Sequence, residues 1–308
     1  MIDSEQRIVA TDLRFPEGPL PMKNGDVWFV EVEGGTLARL APDGNLTRVH
    51  VGGGPNGLAL GPDGKIFIAN NGGFAWADMG GVLVPTHQAE DYAGGRIETY
   101  DPATGRLDTL YTHCNGHRIS GPNDLVFDAF GGFYFTDTGK TRQYDRDHGG
   151  VYYALADGSK IVPVVYPMIT PNGIGLSPDG RTLYVAETET ARLWAFDLSE
   201  PGVITSRPSM NGGRLVIGLG GGTGEHLMID SLAIEASGNI CLATLLGSRI
   251  TIVTPQGEIV GTVAVADIFP TNIAFGGEDM RTAYITLAAT GRMIACQWET
   301  AGLRLHHN

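Results

Sequence analysis

The chain predicts an all-β fold, a six-bladed β-propeller with four antiparallel strands per blade, and three observations carry that expectation. A phrase of polar turn, short apolar strand, tight hairpin and alternating strand recurs six times. Its copies start at Pro16-Glu17-Gly18, Pro55-Asn56-Gly57, Pro122-Asn123-Asp124, Pro171-Asn172-Gly173, Ile229-Asp230-Ser231 and Thr271-Asn272-Ile273. The first copy fits four strands into about 35 to 40 residues, the length of a propeller blade. The 308 residues include 45 Gly and 17 Pro, enough for many tight turns, and no segment has the period of a long amphipathic helix. Regular repetition favours a single propeller domain over residues 1–308.

Taken in order, Arg7 to Leu13 alternates and serves best as the outer strand of the last blade, closing the ring and removing an exposed sheet edge. Glu17 opens the first blade, with further strands at Asp26–Val32, Thr36–Leu40 and Leu46–Val51. The second runs from Asn56 to Tyr111 but is interrupted at residues 74–94. That insertion fits neither the helical nor the strand period and carries Phe74, Trp76, Met79 and Tyr92. A disordered excursion would seldom hold so many apolar anchors, so a lid-like loop over the channel is expected. The third blade follows Asn123, the fourth Asn172, the fifth Asp230 and the sixth Asn272. Gly218 to Gly224 lacks the Lys-Ser or Lys-Thr of a phosphate loop and reads as a flexible loop beside the site.

Composition narrows the function. With 21 Lys and Arg against 34 Asp and Glu, the net charge of −13 opposes nucleic acid and anionic membranes as partners; the partner expected is a small-molecule substrate. Met1 to Glu5 lacks a basic, apolar leader and no apolar run approaches ~18 residues, so a cytoplasmic protein is expected. Cys114, Cys241 and Cys296 lack metal-site spacing and read as buried thiols. Ser120, Ser177 and Ser231 lack the Gly-x-Ser-x-Gly setting of an activated nucleophile.

Repeat symmetry places Glu17, Asn56, Asn123, Asn172, Asp230 and Asn272 in a ring at one mouth of the channel. Every member presents an oxygen. Two carboxylates converging on one axis repel unless a cation or proton lies between them. Oxygen donors without His or Cys select a hard divalent cation: Ca²⁺ first for its tolerant geometry, then Mg²⁺, with Zn²⁺ disfavoured.

These motifs, with Tyr184-Val185-Ala186-Glu187-Thr188 after the fourth turn, make nearly the whole chain resemble the family of gluconolactonase, regucalcin (senescence marker protein) and luciferin-regenerating enzyme. The resemblance implies a metal held by Glu17, Asn172 and Asp230, with Asn123 contacting substrate or metal and Asp124 beside it. It also implies hydrolysis of a lactone. Gly121 stands where relatives of the regucalcin type carry an Arg, and Ile229-Asp230-Ser231 replaces Pro-Asp-Gly. A donor for sugar hydroxyls is therefore missing, which predicts a substrate less polar than a sugar lactone.

The expected enzyme is a metal-dependent lactonase in which Asp230, or else Asp124, takes the proton of the attacking water. Asn56 and Asn123 orient the carbonyl, and Trp76 and His226 contact the substrate. Phosphotriester or other ester hydrolysis, and ligand binding without turnover, remain open alternatives, because a propeller alone does not fix its chemistry.

Overall fold

The computed structural model describes residues 5–220 and 224–308. Six antiparallel blades surround a channel, and in blades 1 to 5 the strands follow chain order from the channel outward. Blade 1 comprises Pro16–Pro21, Val27–Glu31, Thr36–Leu40 and Leu46–His50. Blade 2 comprises Pro55–Leu60, Ile66–Asn70, Arg96–Asp101 and Arg106–Tyr111. Blades 3, 4 and 5 begin at the inner strands Pro122–Phe127, Pro171–Leu176 and Met228–Ile234. Blade 6 joins Pro270–Gly276, Thr282–Leu287 and Arg292–Gln297 to Gln6–Ala10 from the start of the chain, pairing Arg7 with Ala295 and Ile8 with Ile294. The ring thus closes by hydrogen bonds, as the alternation after Arg7 predicts. Each inner strand touches the next, from blade 1 around to blade 6 and back. Among the described residues, no helix is long and apolar enough to cross a membrane.

The core lies between blades rather than in one central mass. Phe67 of blade 2 meets Phe127 and Phe133 of blade 3 with ring centroids 5.0 and 5.4 Å apart, and all three are buried. Burial of a phenylalanine is worth about 1.5–3 kcal/mol, so each such seam holds two sheets together. Cys114, Cys241 and Cys296 are buried, in line with their expected packing role.

Three features depart from the sequence reading. Residues 74–94 are not an irregular loop: Phe74–Asp78 pairs with Leu83–Gln88 as a β-hairpin, with Trp76 opposite Pro85 and a turn through Gly80 and Gly81, both at positive φ. Blade 4 takes its outer strand from Arg214–Gly218 after an excursion that includes Val203–Ile204. His113–Cys114 and His117–Arg118 form a small two-stranded ribbon that the repeat does not announce. Residues 1–4, part of the stretch read as lacking a leader, and the centre of the glycine-rich loop, 221–223, lie outside the described residues.

Beyond Trp298 the chain crosses the far mouth of the channel. Gly302 N donates to Met280 O at 2.7 Å and Leu303 N to Ile234 O at 2.8 Å. Leu303, Leu305 and Asn308 cover a hollow of 80 Å³ whose walls include Leu20, Leu58, Val126, Leu176, Ile234 and Phe275, one from each inner strand.

Candidate active site at the channel mouth

In every blade the inner strand slips register at its anchor: between Glu17 and Leu20, Pro55 and Leu58, Pro122 and Leu125, Pro171 and Ile174, Ile229 and Leu232, and Pro270 and Asn272. A bulge re-aims a side chain and bends its strand, and here it occurs six times around one axis. Glycine after the anchor permits the close approach. A Cβ on Gly57 would stand 2.6 Å from Asn123 O, and one on Gly173 2.6 Å from Ser231 Cα.

All six anchors are buried, with exposures from 2% at Glu17 to 9% at Asp230. Asn272 Nδ2 donates to Glu17 Oε2 at 2.8 Å, and Asn172 Nδ2 to Asp230 Oδ1 at 2.5 Å. Asn172 Oδ1 accepts only a long bond, 3.3 Å, from Ser231 Oγ. Asn56 Oδ1 and Asn123 Oδ1 are buried without a hydrogen-bond partner among the described residues. A buried oxygen left unpaired costs about 1–3 kcal/mol, so two beside one another mark a place that takes an outside group.

The carboxyl groups point the same way. Burial, then the charge of Asp230, raises Glu17 well above the ordinary carboxyl range despite the help of Asn272. Burial pushes Asp230 up to about 7, opposed by the Asn172 hydrogen bond and reinforced by Asp124. Asp124 is likewise pushed up to about 7 by burial, although Leu125 N donates to it at 2.8 Å. These acids resist ionising together. A cation among them would reverse that, and the donor set, two carboxylates with unpaired amide oxygens, fits a hard divalent ion. Among the described residues no three Asp, Glu, His or Cys side chains gather as a metal-binding group, so amides would have to complete the shell.

Above the ring lies a cavity of 290 Å³. Glu17, Asn56, Asn123, Asn172 and Asp230 contribute to it, and Phe15, Phe74, Val84, Pro85, Met228, Leu245 and Phe269 supply apolar wall. The inserted hairpin therefore forms one side of the site. Asp124 and Asn272 are not among the residues around this cavity; both contribute to the hollow at the far mouth, while the Asn272 amide reaches Glu17. Trp76 does not line the cavity but stands behind it, its ring 5.0 Å from Phe15 and 6.2 Å from Phe74. His226 is exposed and outside the cavity wall, whereas His87 of the hairpin lines it.

A second set of polar residues, absent from the sequence reading, holds the anchors in place. Glu31, Asn70, Asp137 and Glu187 each end the second strand of their blade and are buried. Each accepts a backbone N–H from two or three residues before the anchor: Arg14 to Glu31 at 3.1 Å, Gly54 to Asn70 at 3.0 Å, Gly121 to Asp137 at 2.7 Å and Ile169 to Glu187 at 2.9 Å. Their visible signal was a polar residue closing an apolar strand four times. Also unanticipated is Lys140, 1% exposed beneath the hairpin, its amine lowered to about 7 by burial.

Comparisons agree with this architecture. The chain is 27% identical to a gluconolactonase of Zymomonas mobilis subsp. mobilis over 322 residues, covering 96% of this chain and 82% of that protein. It is 29% identical to lactonase drp35 of Staphylococcus saprophyticus subsp. saprophyticus over 245 residues, 78% of this chain and 67% of the relative. The crystal structure of regucalcin from Agrobacterium tumefaciens, described as a calcium-binding protein, superposes with a TM-score of 0.73 at 20% identity, covering 98% of both chains. Residues 15–289 match the family described as the SMP-30/Gluconolactonase/LRE-like region, and the chain belongs to that family.

Proposed function

We propose that this chain is a metal-dependent lactonase whose substrate carries an apolar group. The observation that carries the reading is the floor of the cavity, where two buried unpaired amide oxygens sit with two carboxyl groups that cannot comfortably ionise without a cation. Glu17, Asn123, Asn172 and Asp230 are the proposed ligands, and Ca²⁺ the first candidate. When bound, the ion would polarise the lactone carbonyl and offset the charge that develops on its oxygen. The names of the gluconolactonase and drp35 relatives support lactone hydrolysis as the reaction class.

The chain's own groups divide the remaining work. Asn56 and Asn123 orient the carbonyl. Asp230, which lines the cavity, is the proposed acceptor of the water proton; Asp124 lines the far hollow and is less suitably placed. Water attacks the carbonyl carbon, the ring C–O bond breaks, and the proton held by Asp230 passes to the leaving oxygen.

Two observations favour an apolar substrate over a sugar lactone. Space beside Gly121 is taken, since a Cβ there would lie 3.0 Å from Thr138 Oγ1, and Thr138 and Gly139 themselves line the cavity. The hairpin adds Phe74, Val84 and Pro85 to the wall. Covering ~100 Å² of substrate with such surface contributes about 2.5 kcal/mol before ordering costs.

The test is metal analysis of protein purified without chelator, then a panel of aryl, alkyl and sugar lactones with and without Ca²⁺. Glu17→Gln and Asp230→Asn are expected to abolish turnover and to remove the Ca²⁺-dependent stabilisation, about 2.7 kcal/mol at a hundredfold excess over Kd. A loss of melting temperature relative to wild type that is equal with and without Ca²⁺ in both variants would reject the ligand assignment. Faster cleavage of a phosphotriester than of any lactone would reject the reaction class.

A further inference from the structure

Phe74 opens the inserted hairpin and lines the cavity, and the amine of Lys140 lies against its ring, 3.9 Å from the centroid. Nζ also donates to Asn71 Oδ1 at 3.0 Å and to Gly73 O at 2.9 Å, and stands 5.4 Å from the Tyr92 ring. These partners bracket the insertion. Asn71 and Gly73 lead into its first strand, while Tyr92 lies on its return and donates its hydroxyl to Ser120 O at 2.6 Å. Lys140 itself follows the second strand of blade 3, and its neighbours Gly139 and Thr141 line the cavity. Thr141 O accepts from Gln88 N, the last residue of the hairpin, at 2.9 Å.

A lysine this deeply buried is uncommon, because an ammonium group loses its hydration on entering a core. Its direct partners here are two neutral oxygens and two ring faces, with Asp137 and Asp147 acting through space. Methionine could fill much the same volume without that cost. What it could not do is grip two acceptors and a π face at once.

We propose that Lys140 is a positioning residue that ties the root of the hairpin to blade 3, and thereby fixes Phe74 as the wall that selects the non-reacting part of the substrate. The consequence for specificity rests on the lactone reading above; the tie itself does not. In Lys140→Met the hairpin loses its anchor while the ring below remains intact. Uptake of an aryl lactone then suffers, whereas a polar lactone that makes little use of the wall is affected less.

Two readouts on the purified full chain test this. Amide hydrogen exchange across 74–88 is expected to accelerate at least about tenfold in Lys140→Met, with exchange in Phe133–Thr136 of blade 3 essentially unchanged. In parallel, kcat/KM for an aryl lactone such as dihydrocoumarin is expected to fall about tenfold, chiefly through KM, with gluconolactone changed by less than about twofold. Lys140→Gln, which keeps a buried amide donor without the charge, serves as the second variant should the methionine variant not fold. Exchange that is unchanged in the hairpin, or accelerated equally in blade 3, overturns the proposal. Should the wild-type protein fail to favour an aryl over a sugar lactone, the substrate class proposed above is wrong, and hairpin exchange still decides the role of Lys140.

Discussion

Glu17, Asp124 and Asp230 sit in a place that penalises their charge. Burial is the first cause for each, and Asp124 and Asp230 reach about 7. A carboxyl whose folded value lies above its unfolded one binds protons more tightly in the native state. Its contribution to stability is full below the unfolded value of about 4 and is lost as pH rises through the folded value. Metal-free protein is therefore expected to lose stability between about pH 4 and about pH 7, and Ca²⁺ to flatten that decline. Urea midpoints with chelator and with Ca²⁺, at half-unit steps, check it; a midpoint that rises with pH in chelator contradicts it. The anchors were legible as residues because each repeats the same phrase. The different surroundings of Asp124 were not: one step along a bulged strand separates Asn123, which lines the cavity, from Asp124, which lines the hollow beneath and takes a bond from Leu125 N.

Among the elements, the second strands of blades 1 to 4 do more than pair. Asp137 accepts from Ser120 N at 2.7 Å, Gly121 N at 2.7 Å and Gly139 N at 2.8 Å, and so braces both the segment before Asn123 and the one leading to Lys140. Asp137→Ala would leave three backbone donors without this partner. At about 1–3 kcal/mol per stranded group, a loss of about 3 kcal/mol or more is expected, together with a fall in kcat because Asn123 is no longer held. Chemical denaturation and steady-state kinetics measure the two effects; a loss under about 1 kcal/mol would show that water replaces the carboxylate. The braces escaped the sequence reading because Glu31, Asn70, Asp137 and Glu187 share a position and not an identity. The hairpin escaped for a different reason: Phe74-Ala75-Trp76 has no strand-like polar alternation, and Pro85 interrupts its partner strand. Proline is tolerated there because the pair stands alone as a two-stranded sheet with open edges.

For the whole molecule, the blade count, the chain order of strands and closure by the first strand could all be read in advance, because repetition makes each blade evidence for the others. The segment after Trp298 could not, having no counterpart in the repeat. It crosses the far end of the channel, where Leu303, Leu305 and Asn308 meet residues of all six inner strands. With described residues laid across that far end, the doorway beside the hairpin is the one expected to serve both lactone and product. Hydrolysed product is thus expected to compete directly with lactone, raising the apparent KM and leaving kcat untouched, and initial-rate measurements with added hydroxy acid would reveal a lowered kcat if a back door existed.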